Sequence, residues 1–428
     1  MNREFIEQYI RSHCSAEDYT CRISESDSHE TRFAQNGITQ HLAGPKVWID
    51  LSVSFGAKSG NSLVNQGDEA NLDRLIKTAE ENARLAPEDP EHMPSVGASE
   101  LPQVQNCSDA TLALTPEQMV DIVQQTINKA KALDAKVSGM CEKHISTNGI
   151  FSKNGFSAID SNTVFCHSMT LKKGEVETKV SYEAKDFAGF DLDLEFESLA
   201  SQAEALARQE TFEAQKIAVI LRPPALQELM WYLSWMMNRR QSDEGFTPFT
   251  GMLDKQCFGD KFSLHTTLKN PLILAQPFNM MGVPTKEMTW VEKGVLKAMP
   301  TDRYWAERVG CEAQMPYNMY IPGEDISETE MMKLVPRGLI INRFWYIRPV
   351  DMKRGELTGM TRDGVLYFED GEVKHAVNNL RFNEIPHEMT QRILAFGTAQ
   401  LASTRAFVPL DLLVHEYDLK IRPAWSLG

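Results

Sequence analysis

The spacing of apolar and polar positions changes twice along the chain, and each change marks a different kind of element. "DYTCRISES" and "HETRFAQNGITQH" alternate with the two-residue period of half-buried strands, and Asn36-Gly37 offers a hairpin turn between strands. "KVWIDLSVSF", rich in β-branched and aromatic residues, is the strongest strand of this region. The period then lengthens. Leu72, Leu75, Ile76, Ala79 and Ala83 recur as one stripe of a helix that Asp68 can cap and Pro87 stops. "MNREFIEQYIRSH" at the start reads as an amphipathic helix with charges throughout, and no apolar core of a signal peptide.

Pro87, Pro90, Pro94 and Pro102 fall among acidic and small residues and predict an extended connection. A second unit opens at "TPEQMVDIVQQTINKAKAL". There Thr115 caps, Pro116 takes the first helical position and Gln118 completes a capping box, with Val120, Val123, Ile127 and Ala130 as the buried face. Hairpin turns are expected at Asn148-Gly149, Asn154-Gly155 and Lys172–Glu175, followed by a helix over "ESLASQAEALARQ". "KIAVIL" is apolar without alternation, the pattern of a strand covered on both faces. Beyond it the chain becomes strand-rich, with hairpins at Lys293-Gly294 and Asp370-Gly371, a strong strand in "RGLIINRFWYI", and paired strands in "RAFVPLDLLVHEYDLKI". The class is α+β: mixed helix and antiparallel-sheet units over residues 1–105 and 106–212, then a β-dominated domain over 213–428.

Charge narrows the function. Lys+Arg of 44 against Asp+Glu of 59 leaves a net charge of −15, which repels phosphate backbones and anionic lipid and argues against a nucleic-acid partner. Arg343, Arg348, Lys353 and Arg354 are the nearest approach to a basic patch and read as a solvated rim. Seven scattered cysteines without a CxxC pair fit a reducing, cytoplasmic setting. The longest apolar region, 217–237, is interrupted by Arg222, Pro223, Pro224 and Glu228 and is not suited to crossing a membrane.

The chemistry turns on "ALQELMWYLSWMMNRRQ", residues 225–241. Leu226, Leu229, Met230, Leu233, Met236 and Met237 recur at helical spacing and should face a core, with Gln227, Trp231, Ser234 and Trp235 on another side. No histidine, cysteine or aspartate lies within it. "HEMTQR" at His387 and "HEYDLK" at His415 each lack the second histidine that a zinc helix requires, and read as surface residues. Cys166 and His167 are adjacent, so on a strand they point to opposite faces. The acidic run "DFAGFDLDLEFES" lacks the glycine spacing of a calcium loop and reads as a solvated face.

Several blocks, in order, resemble the TldD/PmbA family of metallopeptidases, also called modulators of DNA gyrase. These are "DEANLDRLIKTAEENARLAPEDPE", "NGIFSKNGFSAIDSNT", "WVEKGVLKAMPTDRYWAERVG", "MYIPGEDISETEMMKLVPRGLIINRFW" and "GELTGMTRDGVLYFEDGEVKHAVNNLRF". The resemblance covers most of the chain. In catalytic members an HExxxH helix and a cysteine near the C-terminus hold zinc, and the glutamate serves as general base. The helix at 225–241 sits where that motif belongs. One register puts Leu226 and Trp231 at the histidine positions; a shift of one puts Gln227, Glu228 and Tyr232 there and keeps the glutamate. Cys311 is the last cysteine, so the third ligand is missing as well. The resemblance therefore implies the non-catalytic TldE/PmbA type: no cofactor in this chain, zinc in a TldD-like partner subunit, and a short peptide as substrate. A self-sufficient peptidase using His387, His415 or Glu228, a peptide-binding protein without proteolysis, and homodimer formation stay open. Trp231, Tyr232, Trp235 and Arg239 are candidates for lining a cavity or an interface, beside the plainer reading of core aromatics.

Overall fold

The computed structural model describes residues 2–213, 215–409 and 412–421. Helix α1 (Arg3–His13) precedes three strands, β1 (Asp18–Ala34), β2 (Gly37–Phe55) and β3 (Lys58–Val64), and helix α2 (Glu69–Leu85) follows them. After the proline-rich connection come α3 (Pro116–Ala132), β4 (Lys136–Ser152), β5 (Ser157–Lys173), β6 (Val176–Ala184) and α4 (Leu192–Leu206). The six strands form one antiparallel sheet in the order β3-β2-β1-β4-β5-β6, joined at its centre by β1 and β4. One face is apolar and divided between two covers. Cys21, Ile23, Ile49 and Leu51 pack under α1 and α2. Phe33, Val137, Cys141 and Phe165 pack beneath α3 and α4. The other face carries mostly polar positions, apart from Ile150 and Ala158, which pack against Phe156 and Phe278.

The caps form as the sequence suggests. The Asp68 side chain accepts from the Asn71 amide at 3.1 Å, and Thr115 and Gln118 complete their reciprocal box. Met119 and Thr126, with Val123, Ile127 and Ala130, make the buried face of α3, while Val120 is only half-buried. In the acidic run, Asp186 and Asp191 cap successive turns and Phe196 is buried, so the run is a pair of helix starts rather than a uniform solvated face.

Three strand expectations are corrected. "DYTCRISES" and "HETRFAQ" are one continuous strand, because β2 and β4 pair with it through Asp27 and Ser28 from both sides. Its hairpin to β2 turns at Gln35 and Asn36, whose φ angles are 49° and 64°, one residue earlier than the Asn-Gly pair. Asn148-Gly149 makes no turn at all. Both lie inside β4, paired with Ser24 and Ile23 on one side and Asp160 and Ile159 on the other. A Cβ on Gly149 would sit 3.1 Å from the Arg3 guanidinium, so the glycine serves close approach of a side chain.

In the C-terminal half, β7 (Lys216–Leu221) leads into α5 (Pro223–Met236). A large sheet is completed by β8 (Arg337–Asp351), β9 (Glu356–Glu369), β10 (Glu372–Val377), β11 (Leu380–Glu384) and β12 (Leu412–Ile421). Strand β7 lies between β8, parallel, and β12, antiparallel. Its odd residues face the main core with α5, and Ala218 and Ile220 face a second core with Met331, Ile340 and Phe368. That double cover is why "KIAVIL" shows no alternation. A smaller sheet is built from Leu264–Thr266, Met288–Glu292, Val295–Leu296, Met319–Tyr320, Ala399–Ser403 and Ala406–Pro409. Ala406–Pro409 and β12, expected to pair with each other, instead belong to different sheets. Helix α5 packs on β8 of the large sheet and on the last two strands of the small one.

One buried and one half-buried histidine have no ionic partner among the described residues. His167, on the apolar face of β5, packs against Phe33 and Phe190 and lies 3.1 Å from the Thr126 hydroxyl, and its Nδ1 has no hydrogen-bond partner among the described residues. His387 is half-buried rather than a fully exposed residue: it packs edge-on against Phe249 with ring centroids 5.4 Å apart, and its Nδ1 has no hydrogen-bond partner among the described residues. Burial lowers both pKa values to about 4 from 6.5. The unfolded chain therefore binds more protons than the native one between these values, so both groups support stability fully above about pH 6.5 and lose that support toward pH 4. Thermal melts should show Tm falling across this window, and His167→Gln or His387→Gln should flatten the decline; an unchanged slope in both variants would contradict the assignment.

Candidate functional site

Helix α5 begins after Arg222 with Pro223 and Pro224, which fix the first turn and need no hydrogen-bond acceptor for their missing amides. Its apolar stripe faces inward as the spacing predicts: Leu226, Leu229, Met230, Leu233, Met236 and Met237 all lie in the main core. Complete burial of one such leucine stabilises the fold by about 2 kcal/mol. The residues at the two metal-helix registers have separate fates. Leu226 is 1 % exposed and is part of the core. Gln227 donates from Nε2 to the Ser403 hydroxyl at 3.0 Å, across to the small sheet. The Tyr232 hydroxyl donates to the Ile347 carbonyl at 2.9 Å, and Trp231 packs half-buried against the core. Trp235 is 53 % exposed.

The strand Ala399–Ser403 lies beside α5, in the segment where the resemblance looks for a cysteine ligand. Its contact with the helix is the Gln227–Ser403 hydrogen bond, between an amide and a hydroxyl. These residues do not fit zinc. A leucine and an indole offer no lone pair, and an amide or neutral phenol is a poor substitute for imidazole or thiolate.

Glu228 is the retained acid of the second register, and its surroundings alter it. Burial raises its pKa to about 7 from 4.5; the Arg343 charge opposes that shift and Asp363 adds to it. Arg343 is therefore no solvated rim residue, since its Nε binds Asp363 at 2.6 Å. Arg222 grips Glu328 through Nε at 2.9 Å and Nη2 at 3.1 Å, and reaches the Asn342 side chain through Nη1 at 2.6 Å. The Asn342 amide in turn donates to the Asp363 carbonyl at 2.9 Å. This network walls one side of a cavity of about 560 Å³, with Pro223, Pro224 and the strand residues Leu401 and Ala402. Ser181, Glu183 and Gln202 from the N-terminal half close the other side. Glu183 fixes the two halves together, accepting from the Thr404 amide at 3.0 Å and hydroxyl at 2.7 Å.

Arg239 does not line this cavity. It pairs with Asp243 at 2.8 Å, and Asp243 also accepts from the Trp305 indole at 2.8 Å. Its neighbour Arg240 makes a two-pronged contact with Glu91 at 2.7 and 2.8 Å, a second link between the halves. The side chain of His415 lies outside the described residues. Cys166 and His167 point to opposite faces of β5, as expected. Asp363 and Ser403 carry no signal in the sequence, and Arg343 reads there only as part of a solvated rim. Each sits far along the chain from α5, and only strand pairing brings them to it.

Three comparisons bear on this arrangement. Residues 214–419 match the family described as the PmbA/TldA metallopeptidase C-terminal domain. No curated protein sequence matches the chain. The fold is similar to that of TldE from Thermococcus kodakarensis, at 16 % identity, TM-score 0.86, over 97 % of this chain and 98 % of that one. It is also similar to a Thermotoga maritima protein named as a modulator of a DNA gyrase, at 18 % identity, TM-score 0.85, over 98 % and 100 %. A Bacteroides thetaiotaomicron protein of like description matches at 14 % identity, TM-score 0.85, over 98 % of both chains.

A protonated Glu228 is favoured inside the protein while the unfolded chain ionises near 4.5, so this residue costs stability increasingly between pH 4.5 and 7. Glu228→Gln should therefore raise Tm at pH 8 and leave it nearly unchanged at pH 4; equal shifts at both would mean that the carboxyl does not titrate as described. With the matched domain and the shared fold taken together, residues 214–419 form a PmbA/TldA metallopeptidase C-terminal domain, in a chain whose fold is that of TldE and of the proteins named as DNA gyrase modulators.

Proposed function

We propose that this chain is the non-catalytic, TldE/PmbA-like subunit of a two-subunit zinc metallopeptidase of the TldD/TldE type, acting on short unfolded peptides. The observation that carries this reading is the fate of the metal-helix positions: Leu226 is in the core, and Gln227 and Tyr232 are tied to Ser403 and Ile347. None is available as a zinc ligand in either register. A TldD-like partner would hold the zinc and supply a Lewis acid and an activated water. This chain would contribute shape and polar contacts, with the exposed Trp235 suited to a subunit or peptide contact.

One observation favours a second reading. A carboxyl titrating near 7 has the pKa of a general base, and Glu228 would be that base in a self-sufficient peptidase. A single experiment separates the two. The chain, a TldD-type protein with an intact HExxxH, and their mixture are each incubated with unstructured peptides after size-exclusion chromatography. The expected result is co-elution, with cleavage by the mixture that is lost when the partner's histidines are replaced and retained in Glu228→Gln. Cleavage by this chain alone, lost in Glu228→Gln, would establish the second reading. Peptide binding without cleavage in any combination would point to a binding protein and overturn both.

A further inference from the structure

The polar face of the first sheet carries a group of donors that the family resemblance does not touch. Glu30 on β1 stands directly opposite Glu142 on β4. His144 follows two residues after Glu142 and so rises from the same face. One ligand atom from each of Glu30, Glu142 and His144 lies within 4.8 Å of the other two. Directly opposed carboxylates repel, and an antiparallel pair of this kind costs stability unless a cation lies between them. The nearest internal compensation is His144, whose Nε2 is 3.6 Å from the Glu142 carboxylate. Lys46, the other cation felt at His144, acts on it only through space.

The scaffold suits metal binding better than a loop would. All three residues come from adjacent central strands paired without interruption over this stretch, so their Cβ positions are fixed by the ladder. An imidazole with two carboxylates is the donor set of divalent zinc-class ions, and it leaves at least one position open to water. His144 and Glu142 are 33 % and 21 % exposed, which allows an ion to enter from solvent. The same cross-strand row runs on through Cys166 to Glu183, the residue that grips Thr404, so the group faces the side of the sheet that meets the C-terminal half. The cysteine thiol lies 3.9 Å from the Ser181 hydroxyl and is not one of the three converging donors.

We propose that Glu30, Glu142 and His144 form a binding site for a divalent zinc-class cation on the polar face of the N-terminal sheet. This site is independent of α5, and its existence does not depend on which subunit role the chain has. The test is equilibrium dialysis of the full chain, stripped of metal, against zinc at neutral pH, with circular dichroism to confirm folding of each variant. The expected result is one zinc bound per chain, with affinity reduced by about tenfold or more in His144→Ala and in the isosteric Glu142→Gln, and unchanged in Glu228→Gln. Absence of zinc binding overturns the proposal. So does binding undiminished in both folded sheet variants, which would mean an adventitious ion only. Loss in Glu228→Gln with retention in the sheet variants would place the metal at α5, overturning this site and the proposed subunit role by separate readouts.

Discussion

Helix α5 is pressed between two sheets, and that confinement governs the rest of the C-terminal half. Its inward stripe must be apolar to fill the space between the large sheet and the small one, where a polar group without a partner would cost about 1–3 kcal/mol. Only the remaining side can carry chemistry. On it, each polar atom with a resolved contact is already engaged: the Gln227 amide with Ser403, and the Tyr232 hydroxyl with a backbone carbonyl. Glu228 is kept near neutrality by burial. A helix so constrained can hold a wall in place. It cannot offer converging imidazoles.

The junction between the halves follows from the same geometry. Glu183 on the edge strand β6 reaches Thr404, one residue beyond the Ser403 that Gln227 holds. Sheet, small-sheet strand and helix are thus linked through consecutive residues, and the cavity of about 560 Å³ lies where they meet. Arg240 and Glu91 make a second tie, with the Arg240 guanidinium 5.2 Å from the centre of the Trp305 ring. Half-buried pairs such as these contribute modestly to stability, but they fix orientation because each is made by two or more hydrogen bonds.

Local signals in the sequence had local answers. The caps at Asp68 and Thr115, the buried stripe of α5 and the double cover of "KIAVIL" could be read from residue type and spacing, because each depends on neighbours within a few residues or on a whole-strand pattern. Asn148-Gly149 makes no turn because β1 and β5 pair with both residues, and β1 is far from them in sequence. His387 looked like a surface residue because nothing near it in sequence announces Phe249 or Phe258. The site was legible in part: the helix and its apolar stripe follow from spacing, whereas Arg343, Asp363 and Ser403 reach it only through strand pairing. Glu30 is likewise far in sequence from Glu142 and His144, and register across β1 and β4 is what brings them together.

The central claim is that α5 holds no hydrolytic zinc and that any such ion in the functional assembly is bound by another chain. Anomalous diffraction at the zinc edge from crystals of the complex with a TldD-type protein addresses it most directly. A zinc peak on the partner's HExxxH helix, with none within coordination distance of Gln227, Glu228, Trp231 or Tyr232, is the predicted result. A peak coordinated by those α5 side chains would contradict the account.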